Sequence, residues 1–270
     1  MTGFWLGPIA AARGYRLHGF EEIGSTSTEA ARAAQGGDIG DVWFAALKQT
    51  AGKGRRGRAW ETPTGNLAAS LLMVPDCDPA LAATLGFVAG VSLNRALAAT
   101  LPAAIVRQGL DGASRVALKW PNDVLADGAK LAGILLEAQK LPNGRHAIVI
   151  GFGVNIVSAP TGLPYPATSL SDLGAQIDAP TLFAALADEW VVASELWDHG
   201  RNVGDILRLW RASAAGIGAE VAVNRDGEIV RGVFETIDDS GRLIVRAKDD
   251  SRIAITAGDV HFGVTASVRT

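Results

Sequence analysis

A chain of 270 residues, 48% hydrophobic and 20% charged, carries enough apolar side chain for one large core and leaves room for a small second domain. Its formal charge of −3 excludes a surface built for general nucleic-acid or anionic-membrane binding, because such binding needs a broad excess of Lys and Arg. One cysteine, Cys77, excludes an internal disulfide framework and fits a reducing, cytoplasmic compartment; no stretch approaches a membrane span, and Met1 to Leu17 is too interrupted by Pro8, Arg13, Gly14 and Arg16 for a signal peptide.

In chain order, the first informative stretch is Ser25-Thr26-Ser27-Thr28-Glu29, followed by an Ala-rich run to Ala34 and a Gly36-Gly37 stop. Thr26 stands three residues before Glu29, the spacing of a capping box, so a helix is predicted with Ser25 or Thr26 at its cap. The same hydroxyls are equally suited to face a small polar ligand at the helix N-terminus. Next, two apolar runs, Val42 to Leu47 and Leu67 to Val74, flank Gln49 to Trp60, where Gly52, Gly54 and Gly57 alternate with Lys53, Arg55, Arg56 and Arg58. Glycines allow close backbone approach to an anion and the cations supply charge and forked donors, so this strand-to-strand loop reads either as a phosphate cover or as a solvated basic turn.

Asp78 to Leu101 predicts one long Ala/Leu helix. Lys119-Trp120-Pro121-Asn122-Asp123 then leads through Val124 to Ala126 into the hairpin signal Asp127-Gly128 and onward to Lys130-Leu131-Ala132-Gly133. Asp123 is a candidate Mg²⁺ ligand, and Lys119 and Lys130 are candidate partners for the same phosphates; alone, these residues would read as turn formers and solvated charges. After the turn Pro142-Asn143-Gly144, an apolar strand runs into Gly151-Phe152-Gly153-Val154-Asn155. The dinucleotide fingerprint fails here because Ile156 occupies the third glycine position, and no Walker A sequence is present. Gly151 and Gly153 are read as a close approach to ligand or a bend where the strand ends, with Asn155 offering an amide.

Helices are predicted from Pro180 to about Gly200 and from Val203 to Ala214, with Trp190, Trp197 and Trp210 as core residues. From Ala219 the texture changes to four short alternating strands, 220–223, 228–237, 242–247 and 252–255, separated by Asp226-Gly227, Asp239-Ser240-Gly241 and Asp249-Asp250-Ser251. That spacing predicts a small antiparallel barrel after a boundary near Ala215-Gly216.

Taken together, Ser25-Thr26, Gln49 to Trp60, Lys119 to Gly133, Gly151 to Asn155 and the C-terminal barrel give a chain that resembles a biotin protein ligase. The resemblance implies an α+β fold: a mixed sheet with helices, the class II synthetase-like catalytic domain, over residues 1–215, then an SH3-like β-barrel over 216–270. It implies biotin activation by MgATP to biotinyl-5′-AMP, then transfer to a lysine of a biotin carboxyl carrier protein. By position, Ser25, Thr26, Gln49, Gly52, Lys53, Trp60, Lys130 and Gly133 match the biotin site. Arg55, Arg56, Arg58, Lys119, Asn122, Gly151, Gly153 and Asn155 match the nucleotide site, Asp123 the metal site, and Lys130, Lys119 and Arg55 the catalytic set. Ser27 stands where the family often has Asn, and Lys53 replaces the first loop arginine and lacks its fork. About two dozen residues before Ser25 are too few for a winged helix of roughly 50 residues, so a ligase without nucleic-acid binding is expected, with a homodimer left open. A lipoate ligase and a non-catalytic biotin or nucleotide sensor are the rival readings.

Overall fold

In strands β1 (Arg16–Phe20), β2 (Val42–Ala46), β3 (Leu67–Met73), β4 (Val116–Lys119), β5 (Asp123–Ala126), β6 (Ala129–Lys140) and β7 (His146–Val154), successive side chains serve two different layers. Trp43, Ala69, Ile150 and Phe152 point to one core, whereas Val42, Phe44, Leu72 and Val149 point to another on the opposite face. A computed structural model describes residues 3–106, 114–225 and 228–262. The strands form one mixed sheet in the order β1-β2-β3-β7-β6-β5-β4, with only β1 and β2 parallel.

Helix α2 (Thr26–Gln35) crosses β2, β3 and β7 on the second face. Its N-cap is Ser25, whose Oγ accepts from the Thr28 backbone N–H, so Thr26 is the first helical residue and not the cap. On the other face lie α4 (Leu85–Thr100) and α6 (Ala179–Trp197), with α1 (Pro8–Ala12), α5 (Ala103–Val106) and α7 (Val203–Ala212) around them. Trp190, Trp197 and Trp210 are core residues, as expected. The single helix expected over 78–101 is instead α3 (Pro79–Ala82) followed by α4. Thr84 breaks it: its buried hydroxyl donates to Leu81 O at 2.5 Å and accepts from Trp197 Nε1 at 2.7 Å.

The remaining strands, β8 (Glu220–Arg225), β9 (Glu228–Ile237), β10 (Leu243–Arg246), β11 (Arg252–Ile255) and β12 (Asp259–Phe262), form an antiparallel sheet ordered β11-β10-β9-β8-β12. The turn expected at Asp226-Gly227 lies outside the described residues. Strand β12, which pairs with β8, is an addition to the four strands expected from the sequence. The approach is tight: a Cβ on Gly258 would lie 2.7 Å from Val223 Cγ1. The second sheet is fixed to the first by a buried bond from Trp120 Nε1 to Gly241 O (2.9 Å), by Ala215 N–H to Leu118 O (2.8 Å), and by apolar residues of both sheets in one continuous core.

Candidate active site

Where α2 begins, the sheet beneath it changes from bulky to small residues: Ala68, Ser70, Gly151, Gly153 and Gly133 replace the Val, Phe and Leu found further along. This leaves a trench with a polar end. Thr26 N–H and hydroxyl both reach Gln49 Oε1, at 2.8 and 3.1 Å, Gln49 Nε2 donates to Thr62 Oγ1 at 3.1 Å, and Ser70 Oγ lies 2.8 Å from Thr26 Oγ1. With Thr26 donating to Gln49, Ser70 donates to Thr26, giving one directed chain of neutral hydrogen bonds. Ser25, Thr26, Ser27, Thr62 and Ser70 are all buried.

Trp60 lies across the glycine floor. An added Cβ on Gly153 would fall 2.3 Å from the Trp60 indole, and one on Gly133 would lie 3.2 Å from it. Strand β7 ends at Val154, one residue past Gly153, as expected, but it keeps its register with β3 and β6 through both glycines, so the bend read as their alternative role is absent. The glycines make room for a tryptophan, and Gly151 lies opposite Ser70 on the same face. Gly52 is equally constrained, since a Cβ there would meet Trp60 O at 2.2 Å and Gln49 Nε2 at 2.8 Å.

Beyond Trp60 lies the charged end. Lys130 Nζ pairs with Asp123 Oδ1 at 2.8 Å and sits over the rings of Trp60 (5.5 Å) and Tyr165 (5.6 Å); both side chains of the pair are 18% exposed. The Asp127-Gly128 turn, with φ of 49° and 79°, folds β5 against β6 and so sets Asp123 beside Lys130. Backbone bonds hold Lys130 to Pro166 and Thr168, and Asn155 Nδ2 secures the same crossing by donating to Thr168 O at 3.1 Å. Asn155 is therefore first a structural brace, although its buried Oδ1 has no hydrogen-bond partner among the described residues. Lys119 is half-buried under Phe262 at 5.6 Å; burial, more than the nearby Lys130, draws its pKa below the ordinary lysine value, against the pull of Asp123.

The basic loop is ordered, not splayed. Lys53 bridges Ala59, Gly54 N–H donates to Arg58 O at 2.7 Å, and a short 3₁₀ turn at Arg55–Gly57 places Arg56 and Gly57 at φ of 56° and 71°. Arg55 donates to Asn122 Oδ1 at 2.9 Å, and burial draws its pKa down. Arg56 and Arg58 instead reach Asp259 on β12, at 3.3 and 3.1 Å. A cleft of about 280 Å³ adjoins Arg55 and Asn122, bounded by Phe87, Trp120 and Arg242, but Thr26 and Gln49 do not line it.

The structure thus gathers Ser25, Thr26, Gln49, Gly52, Trp60, Lys130 and Gly133 around the trench, and Arg55, Asn122, Asp123 and Lys119 at its charged end. Sequence reasoning passes over Ser70, Thr62, Tyr165 and Asp259. Ser70 leaves one signal, a lone hydroxyl within the apolar run Leu67 to Val74.

Residues 40–155 match the Biotin/lipoate A/B protein ligase family, and residues 216–263 match the Biotin protein ligase C terminal domain. A biotin--[acetyl-CoA-carboxylase] ligase of Paracoccus denitrificans is 37% identical over 247 residues, covering 88% of this chain and 97% of that protein. The enzyme of the same name from Mycobacterium tuberculosis is 36% identical over 259 residues, covering 93% and 91%. In fold, the chain is similar to the biotin protein ligase of Aquifex aeolicus solved with biotin and ATP, at a TM-score of 0.73 and 21% identity over 92% of this chain and 98% of that one. With both of its parts matched and relatives similar over almost their full length, the chain belongs to the biotin protein ligase family.

Proposed function

We propose that this protein activates biotin with ATP, forming biotinyl-5′-AMP and pyrophosphate, and then transfers the biotinyl group to a lysine of a biotin carboxyl carrier protein. The observation that carries the reading is the pairing of a buried neutral hydrogen-bond chain with a cation cluster across one aromatic residue, Trp60. Biotin has this same character: a polar ureido head, an apolar chain and a terminal carboxylate. The head group takes the Thr26, Gln49 and Ser70 end, the chain lies along the Trp60 indole, which itself covers Gly133 and Gly153, and the carboxylate meets Lys130.

In the first step a biotin carboxylate oxygen bonds to the α-phosphorus and pyrophosphate leaves with the electron pair. Two anions must meet, so positioned cations are what the step requires, not a protein nucleophile. In this reading Lys130 orients the carboxylate, and Lys119 and Arg55 neutralise charge on the transferring group. Lys119 is half-buried and its pKa is lowered, first by burial, so phosphate oxygens beside it would favour its charged form. Arg56, Arg58 and Lys53 cover the nucleotide, with Asn122 and Asn155 on its polar side. Asp123 fits Mg²⁺, which takes one or two carboxylates and completes its shell with phosphates and water. Bound there, the ion would supply charge neutralisation. In the second step the acceptor amine forms an amide with the acyl carbon, AMP leaves, and the amine gives up its proton.

In the same proposal the catalytic part spans 1–215, the SH3-like part spans 216–270, and the protein works in the cytoplasm without nucleic acid. No helix among the described residues is long and apolar enough to cross a membrane. The family covering 40–155 includes lipoate ligases, but the match over 216–263 and the relatives named above favour biotin. The test is pyrophosphate release from ATP with biotin or lipoate, followed by mass spectrometry of an added carrier domain. Biotin-dependent release with one biotin on the carrier lysine is expected. Release with lipoate only, or binding without release, would replace this reading by one of its rivals.

A further inference from the structure

We propose that Asp259 is a positioning residue that holds the basic loop over the site from the second sheet. Its Oδ2 receives both Arg56 (3.3 Å) and Arg58 (3.1 Å), residues about two hundred positions away in the chain. Its own placement is firm: Asp259 pairs with Asn224 of β8, Val260 beside it is buried, and Gly258 allows the tight approach to Val223 that brings β12 in. The loop it receives holds Arg56 at φ 56°, a left-handed conformation that a non-glycine residue keeps only when surrounding contacts hold it. Burial alone would raise the Asp259 pKa, but Arg58, Arg56 and Arg55 together draw it below the usual carboxylate value. The second sheet therefore supplies the anion on which two loop arginines, Arg56 and Arg58, converge.

A surface ion pair is ordinarily weak, but here two guanidiniums converge on one carboxylate that is 28% exposed, so the expected effect is several-fold. Without the tether, a retained acyl adenylate would escape. A bystander lysine would then form the amide as AMP leaves.

The first readout is tryptic cleavage after Lys53, Arg55, Arg56 or Arg58 in the ligand-free full chain, and it does not depend on the proposed activity. Asp259→Asn is expected to raise nicking at these sites several-fold, and Asp259→Glu to restore most of the protection. Glu235→Gln, which breaks the Arg252 pair elsewhere in the same sheet, is expected to leave the sites unchanged. Arg58→Gln, read at Arg55, should raise nicking similarly, with no further rise when combined with Asp259→Asn; this holds the test open if Asp259→Asn unfolds. The second readout rests on the ligase reading: with biotin and ATP, Asp259→Asn should label an unrelated lysine-rich protein several-fold more than wild type while pyrophosphate release continues. Unchanged nicking in Asp259→Asn and Arg58→Gln would overturn the proposal. Raised nicking in a protein whose wild type releases no pyrophosphate would support the tether and reject the ligase reading.

Discussion

The two ends of the trench are built on opposite principles. At one end Thr26, Gln49, Thr62 and Ser70 are joined by short neutral hydrogen bonds between a helix start, the middle of β3 and the segments flanking the basic loop, with Ser25 and Ser27 bonded to each other beside them and most of the group out of contact with water. At the other, Arg56 and Arg58 are 41% and 62% exposed and meet their carboxylate across two different sheets. A buried neutral network is costly to break and keeps one geometry, whereas partly solvated ion pairs are individually weak and re-form readily. The arrangement suits a reaction in which the head group must be fixed throughout, while the cationic end admits a triphosphate, releases pyrophosphate and later opens to a protein.

The largest effect is expected where the two ends join. Lys130→Ala removes the cation proposed to orient the biotin carboxylate and parts Asp123 from its ion-pair partner, so adenylation should fall by about 10²–10³-fold in a pyrophosphate assay. Gly153→Ala drives a methyl group into the Trp60 indole, and overpacking of roughly 1–3 kcal/mol corresponds to about 5–150-fold weaker biotin binding by calorimetry. The fold should survive, because Gly153 has ordinary strand pairing to Ala68 and Gly133.

Much of this architecture is legible in the amino-acid sequence. Asp127-Gly128 identifies the β5–β6 hairpin because left-handed backbone favours those residues, and the apolar runs at 42–47 and 67–74 find β2 and β3. What escapes is non-local. Nothing in the four residues Asp259–Phe262 announces a strand, still less a contact with Arg58, and the reason for glycine at 153 is a tryptophan more than ninety positions earlier. Thr84 reads as one more helical residue unless Trp197 is known to supply the partner for its hydroxyl. The capping-box spacing to Glu29 leaves the cap divided between Ser25 and Thr26; Ser25 takes it, and the side chain freed from capping is the one that organises the polar end.

Thr26→Val tests that polar end directly. It removes the hydroxyl link between Ser70 and Gln49, leaving buried polar groups underpaired, at a cost of about 1–3 kcal/mol in biotin affinity by calorimetry. Unchanged affinity would mean that these bonds only brace the helix start. The smallest effect separates the ends without a mutation. Raising ionic strength from 0.1 to 1 M shortens the screening length from about 10 Å to about 3 Å. Tryptic nicking at residues 53–58 should rise a few-fold, against a peptide control for the protease, while biotin affinity stays nearly constant.

The most direct measurement of the contrast is backbone hydrogen exchange, comparing amides 53–58 with amides 28–35 of α2 in the free protein and after addition of biotin and ATP. Slow exchange is predicted throughout for α2, and for the tethered loop exchange faster than that of α2 in the free protein, with added protection once the adenylate has formed. Equal protection of both segments before ligand, or no added protection of 53–58 afterwards, would contradict a fixed head-group end and a closing cationic end.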